Sequence, residues 1–255
     1  MVTPAVERAL LDEAVALARE AGRLTLGWFR SVDLAVERKG DGTPVTAADR
    51  AAERLVRERL AATHPDDTIV GEEEAELAGT SGRRWIIDPI DGTKAFTHGV
   101  PLYSTLLAYE DEHGPAIGVI DLPALGETVY AARGLGCYCN GEPAHVSTRD
   151  RLRGSYLTTS GFDYWAADAL MAAHASGMFL RTWGDGYGYA LVATGRVEAM
   201  VDPVASPWDV AAMPVIIGEA GGTFTDFNGD VRIDGGSGLA TNGPLHDEVL
   251  QVVSR

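Results

Sequence analysis

Between residues 68 and 132 the chain runs through a succession of short β-prone segments, punctuated by Gly and Pro, with no helical periodicity between them. They fall at 68–70, 85–87, 104–109, 116–121 and 128–132. Strands that follow one another without a crossover helix pair most simply as an antiparallel sheet, because parallel neighbours need a long connection. On either side of this block the pattern changes. Thr3 and Pro4 predict a helix start, after which Leu10, Ala14, Leu17, Ala21 and Leu24 recur on one helical face. A Gly-rich, charged connection from Lys39 to Pro44 leads to a second helix that starts near Thr46 and carries Leu55, Val56 and Leu60. After about residue 145, helix and strand alternate. Helices are expected over 164–174, 187–194 and 207–219 and from Pro244, and strands over 178–181 and 197–201, with further strands before the last helix. The expected fold is α+β. It has an antiparallel sheet in residues 1–145 and an α/β arrangement in 146–255, joined by no linker long enough to make the halves independent.

At 255 residues, 45% hydrophobic and 23% charged, the chain can bury one large core or two joined ones. Its formal net charge of -16 argues against a nucleic-acid surface, which needs clustered Lys and Arg. An acidic protein still binds anionic phosphate where metal ions supply positive charge. The only cysteines, Cys137 and Cys139, have no further Cys or His cluster to complete a zinc site and read as structural thiols. No apolar run approaches the roughly 18 residues of a membrane span, and the N-terminus lacks a signal-like core. A cytoplasmic location is expected.

The most informative stretch is Trp85-Ile86-Ile87-Asp88-Pro89-Ile90-Asp91-Gly92-Thr93, an apolar strand that ends in two carboxylates and a Gly-Thr pair. Asp88 and Asp91 offer hard oxygen ligands, Pro89 and Gly92 force a turn that exposes the Ile90 carbonyl, and Gly92 and Thr93 open a helix whose amides face a phosphate. Taken alone, the same residues also describe a strand followed by an ordinary turn. Glu72, Glu73 and Glu74 form an acidic run that is either solvated or bound to cations. Asp209, three residues after Ser206, and Asp49, three after Thr46, both fit capping boxes.

Together these segments resemble the inositol monophosphatase-like family of phosphatases. The motifs that carry the resemblance are Gly71-Glu72-Glu73, Asp88-Pro89-Ile90-Asp91-Gly92-Thr93 and Trp208-Asp209-Val210-Ala211-Ala212, with Glu219-Ala220-Gly221-Gly222 closing the pattern. The resemblance spans essentially the whole chain. It implies a layered αβαβα sandwich, usually a homodimer, and Mg2+ as cofactor. It further implies Glu72, Asp88, the Ile90 carbonyl, Asp91 and Asp209 as metal ligands, with Glu72 also counted among the catalytic residues. Thr93, supported by Asp49, would orient the attacking water, and the Gly92 and Thr93 amides, beside Asp91, would receive the phosphate. The sequence departs from many relatives at Ala95, where Asn is common, and at Pro214, which should kink the helix begun at Pro207.

Within the family, Arg181-Thr182-Trp183-Gly184-Asp185-Gly186-Tyr187-Gly188 and Met200-Val201-Asp202-Pro203 look most like the histidinol-phosphate phosphatase branch. Two acids, Asp185 and Asp202, would suit a leaving group that carries an ammonium. The expected substrate is therefore L-histidinol phosphate. The alternatives are an inositol or sugar phosphate, or a non-catalytic metal- or phosphate-binding regulator. Asp185 also reads as a helix N-cap. The glycines at 184, 186 and 188 fail the dinucleotide-loop spacing. Asp226-Phe227-Asn228-Gly229-Asp230 fails as a calcium loop because Val231 and Ser237 stand where Gly and Glu are needed, and a hairpin turn at Asn228-Gly229 is expected instead.

Overall fold

The computed structural model describes residues 3–40 and 42–254. Helix α1 spans Arg8–Thr25 and buries Leu11, Ala14, Leu17, Ala18 and Ala21 on one stripe. It begins later than Thr3 and Pro4 predict, because the preceding segment is pinned beside the sheet: the Val6 amide donates to the Arg133 carbonyl at 3.0 Å and Arg133 Nε to the Pro4 carbonyl at 3.0 Å. Strands β1 (Val36–Arg38) and β2 (Pro44–Thr46) pair antiparallel, so Pro44, expected in a connection, opens a strand. Helix α2 follows at Ala47–Thr63, capped where expected by Thr46 and Asp49.

Strands β3 (Thr68–Gly71), β4 (Arg84–Asp91), β5 (Ser104–Asp111), β6 (Gly114–Leu122), β7 (Glu127–Ala132), β8 (Gly136–Cys139) and β9 (Glu142–Pro143) lie side by side in chain order as one seven-stranded sheet. The pairing corrects the expectation of a purely antiparallel sheet, since β3 runs parallel to β4 while the remaining pairs are antiparallel. The 3–4 connection is long enough to allow this. A short helix, α3 (Thr93–Thr97), leaves the end of β4.

The second sheet contains β10 (Tyr156–Thr159), β11 (Phe179–Arg181), β12 (Ala199–Asp202), β13 (Thr223–Thr225) and β14 (Gly238–Thr241), in the order β11-β10-β12-β14-β13. Its first three neighbours are parallel, as βαβ connections require, and the rest antiparallel. The helices are α4 (Ala167–Ala175), α5 (Asp185–Ala193), α6 (Pro207–Val210), α7 (Met213–Glu219) and α8 (His246–Val253). The segment from Pro207 to Glu219 is not one kinked helix but two, with Pro214 placed in the first turn of α7, where its missing N–H is tolerated. Asn228-Gly229 does not join two paired strands directly: β13 and β14 are linked through residues 226–237, and the turn is held by Asp226, which accepts the Asn228 and Asp230 amides.

Three apolar clusters define the layers. One face of the seven-stranded sheet (Trp85, Ile87, Leu107, Val119) packs on α1 and α2, and the other (Ile86, Leu106, Ile120, Ala131) on α5 and α7. The far face of the second sheet (Leu157, Ala199, Val201, Leu239) packs on α4 and α8. The result is an αβαβα sandwich. Trp85, fully buried against Tyr109 at 4.6 Å, anchors the β4 layer, and burial of a side chain of this kind contributes roughly 1.5–3 kcal/mol.

Candidate active site

The site forms where β4 ends. Trp85, Ile86 and Ile87 alternate between the two faces of the sheet, but the pairing shifts between Asp88, opposite Leu106, and Asp91, opposite Ser104. Three steps along β4 thus match two along β5. Without the extra residue, side chains three apart would point to opposite faces; the bulge brings Asp88 and Asp91 to the same side. Pro89 lies inside the bulge, where a missing amide costs no ladder bond, and its carbonyl accepts from Thr105 Oγ1 at 2.9 Å. Gly92 follows in the left-handed conformation at φ 79°, which reverses the chain into α3.

Asp88, Asp91 and Asp209 each present a carboxylate oxygen such that all three lie within 4.8 Å of one another. Asp209 arrives on α6, its orientation fixed by the Ser206 amide, which donates to Oδ2 at 2.7 Å. Asp88 is 2% exposed, and its Oδ1 has no hydrogen-bond partner among the described residues. Burial raises its proton affinity well above the ordinary carboxylate range, and the neighbouring Glu72, Asp91 and Asp209 charges push it the same way. Burial likewise raises Asp91, and lifts Asp209 to about 6. Asp91 Oδ2 accepts from Ser104 Oγ at 2.6 Å and from the Gly186 amide at 2.6 Å.

Glu72 stands beside Asp88, and its carboxylate meets Lys39 Nζ at 2.6 Å; Lys39 meets Glu73 at the same distance. The acidic run is held from beneath by Glu53, a fully buried residue of α2 that accepts the Glu73 and Glu74 amides at 2.8 and 3.0 Å and is paired with Arg57 at 2.8 Å. Sequence reading missed Glu53, which looks like one more charge on a helix. It also missed Ser104, Ser160 and Lys39, whose roles depend on partners distant in the chain.

Thr93 Oγ1 donates to the Ile90 carbonyl at 3.0 Å. The expected support from Asp49 does not take the form of a direct bond among the described residues. Asp49 is fully buried, its Oδ2 accepts the Thr46 amide at 2.8 Å and the Thr46 hydroxyl at 2.6 Å, and its Oδ1 has no partner among the described residues. The capping geometry therefore holds one oxygen and leaves the other available.

Asp185 is the first residue of α5 and adopts φ 56°, a conformation that an L-residue rarely takes and that surrounding structure must hold in place. It is not the N-cap, which is Gly184. Its Oδ2 lies 2.9 Å from the point where a Cβ on Gly92 would stand, so the carboxylate rests against the Gly92 turn. Its amide donates to Ser160 Oγ at 3.0 Å. Ser160 in turn donates to Asp202 Oδ1, while Tyr189 Oη donates to Asp202 Oδ2 at 2.9 Å. Asp202 is 6% exposed, with both oxygens engaged from within the protein, so here it braces Asp185 through Ser160 and does not line the open site. Burial lifts its carboxyl to about 7.

A cluster of carboxylates, two of them buried and one with an oxygen unpartnered among the described residues, suits a hard divalent cation; the Gly92 turn that opens α3 beside it suits an oxyanion. Residues 7–255 match the model of the inositol monophosphatase family. The chain is 45% identical over 235 residues to a histidinol-phosphatase of Chlorobaculum parvum, covering 91% of each, and 41% identical over 246 residues to a histidinol-phosphatase of Mycobacterium tuberculosis, covering 93% of this chain and 95% of that one. Among solved structures, an IMPase of Thermotoga maritima superposes with a TM-score of 0.88 at 35% identity, covering 96% of both chains. No helix among the described residues is long and apolar enough to cross a membrane. By sequence and by fold, the chain belongs to the inositol monophosphatase family.

Proposed function

We propose that the protein is a magnesium-dependent phosphomonoesterase that hydrolyses L-histidinol phosphate to L-histidinol and phosphate. The observation that carries this reading is the carboxylate trio Asp88, Asp91 and Asp209, the first two buried and the third half-buried, with its orphaned Asp88 oxygen, set beside the Gly92-Thr93 turn. Three carboxylates this close, two of them buried, need a counter-charge, and oxygen-only donors select Mg2+ or a similar ion. Glu72, Asp88, the Ile90 carbonyl, Asp91 and Asp209 would hold it. Bound there, it would supply Lewis acidity and positive charge toward water and the phosphoryl oxygens.

The chain's own residues do the rest. The Gly92 and Thr93 amides hold the phosphate in line, and Thr93 Oγ1, with its proton committed to the Ile90 carbonyl, offers its lone pairs to orient the attacking water. Asp49, with Oδ1 unpartnered among the described residues, would support Thr93. Water adds at phosphorus as the ester oxygen leaves, and that oxygen takes up a proton to give the alcohol. Residues 1–145 thus supply most of the metal site, while 146–255 supply the leaving-group pocket together with Asp209. Asp185 faces the leaving group, with Asp202 behind it; an ammonium there gains a charge-assisted hydrogen bond that a neutral polyol does not. The names of the matched relatives support the same substrate. A cytoplasmic homodimer is the assembly expected of this reading.

The test is phosphate release from L-histidinol phosphate, inositol 1-phosphate and fructose 1,6-bisphosphate, with Mg2+ or with chelator. Magnesium-dependent turnover led by histidinol phosphate is expected. A preference for either other ester overturns the substrate, and magnesium binding without turnover of any ester overturns the enzyme reading. Asp185→Asn should lower the preference for histidinol phosphate over inositol phosphate by about 10- to 150-fold, the loss of one hydrogen bond to a charged group.

A further inference from the structure

Lys94 and Tyr164 meet at the mouth of the site from opposite halves of the chain. Lys94 Nζ donates to Tyr164 Oη at 2.6 Å and lies 5.1 Å from the centre of the ring. These distances differ by nearly the span from hydroxyl to ring centre, so the ammonium sits out beyond the hydroxyl, and the faces of the ring are left clear of it. Lys94 directly follows the Gly92-Thr93 turn, and its charge acts on Asp185, whose carboxylate rests on that turn. Tyr164 closes a single 3-10 turn, Phe162–Tyr164, that follows Ser160, the residue that ties Asp185 to Asp202. The next residue is anchored, with Trp165 Nε1 donating to Thr159 Oγ1 at 3.0 Å. A half-fixed segment thus carries a large aromatic ring to the rim of an acidic site and leaves it 47% exposed. The ring also lines an open groove of about 300 Å³, together with Trp165, Pro203 and Phe227 among others.

An exposed Lys–Tyr contact adds little to stability. Its consequence is geometric: it fixes where the ring stands. We infer that Tyr164 selects esters whose leaving group bears a planar aromatic ring, by offering its own ring as a stacking face, and that Lys94 is a positioning residue that holds that face at the entrance. The inference rests on the phosphatase reading of the site and deepens it. Asp185 recognises the ammonium of the leaving group, and Tyr164 recognises the flat ring beside it.

Ethanolamine phosphate is the discriminating probe, because it keeps the aminoethyl phosphate unit of histidinol phosphate and lacks the imidazole. Steady-state kinetics on both esters, with saturating Mg2+, should show that Tyr164→Ala lowers the ratio of kcat/KM for histidinol phosphate to that for ethanolamine phosphate by about 3- to 10-fold, the size of an aromatic stacking contact, through KM and not kcat. Tyr164→Phe and Lys94→Met each break the bond that holds the ring and should each lose part of the ratio, less than Tyr164→Ala loses, whereas Lys94→Arg should keep it. Both side chains are exposed, so circular dichroism should be unchanged in all four variants. If Tyr164→Ala lowers turnover of the two esters equally, or acts through kcat, the ring only shapes its loop and the inference is overturned. If wild-type protein turns over no histidinol phosphate, the reading of the site beneath it fails, and the inference with it.

Discussion

The Gly186 amide donates a 2.6 Å hydrogen bond to Asp91 Oδ2, which joins the first turn of α5 to the end of β4 across the interface between the two sheets. Only glycine permits this approach. A Cβ on residue 186 would stand 2.3 Å from Ser104 Oγ and 2.8 Å from Asp91 Oδ2. The bond holds the Asp91 carboxylate in the cluster with Asp88 and Asp209, and in the same turn Asp185 is set over Gly92. We predict that Gly186→Ala pushes α5 away from β4, with a loss of about 1–3 kcal/mol in stability and a larger fall in activity. Urea unfolding and phosphate-release assays on the same preparation check both; a stable variant with weakened activity is also informative, but full activity would show that the contact does not align the site.

Asp88→Asn should reduce magnesium-dependent phosphate release to near background while leaving the fold intact. The side chain keeps its shape and loses its charge. In chelator, the variant should melt no lower than the wild-type protein, because a buried carboxylate crowded by Glu72, Asp91 and Asp209 destabilises the metal-free state. Added Mg2+ should raise the melting temperature of wild type more than that of the variant. Activity near the wild-type level would remove Asp88 from the proposed ligand set.

Thr93→Val removes a hydroxyl that bonds the Ile90 carbonyl. The expected result is a fall in kcat of roughly 10²-fold with little change in magnesium affinity, in the range of groups that position a reacting proton. Calorimetric titration with Mg2+ separates the two effects. A defect mainly in metal binding would mean that the hydroxyl serves to shape the Ile90 carbonyl as a ligand.

Asp202 sets a pH dependence of its own. Its carboxyl holds its proton to about pH 7 in the folded protein, against an ordinary value near 3.8, because burial disfavours the charge. The folded state therefore binds more protons than the unfolded one between these values, and stability contributed by the protonated group is lost as pH rises through about 7. Asp202→Asn should flatten that part of the profile in chelator, with the largest gain relative to wild type above pH 7. Urea midpoints measured from pH 5 to 8.5 give the comparison; parallel profiles would assign the proton elsewhere.

The layers of the fold were legible from residue order, because periodicity reports which face of an element is buried and not what covers it. The stripe Leu10, Ala14, Leu17 and Ala21 is helical on any reading, and the strand-rich stretch from residue 68 to 132 can only build a sheet. The motif Asp88-Pro89-Ile90-Asp91-Gly92-Thr93 likewise announces an oxygen-rich turn. Tertiary structure decided the rest. In an unbroken strand Asp88 and Asp91 would face opposite ways; a bulge against Leu106 and Ser104 turns them to one side. Asp209 joins them only because α6 packs on β4, and Gly186 reaches Asp91 only because α5 fills the layer between the sheets. Glu53 and Ser160 look like ordinary polar residues until the fold leaves each a single set of partners, and Asp202, expected at the leaving group, is drawn inward by Ser160 and Tyr189. Local sequence fixes dihedral preference and face, whereas the meeting of residues 95 positions apart depends on how whole layers pack, which no short stretch of chain encodes.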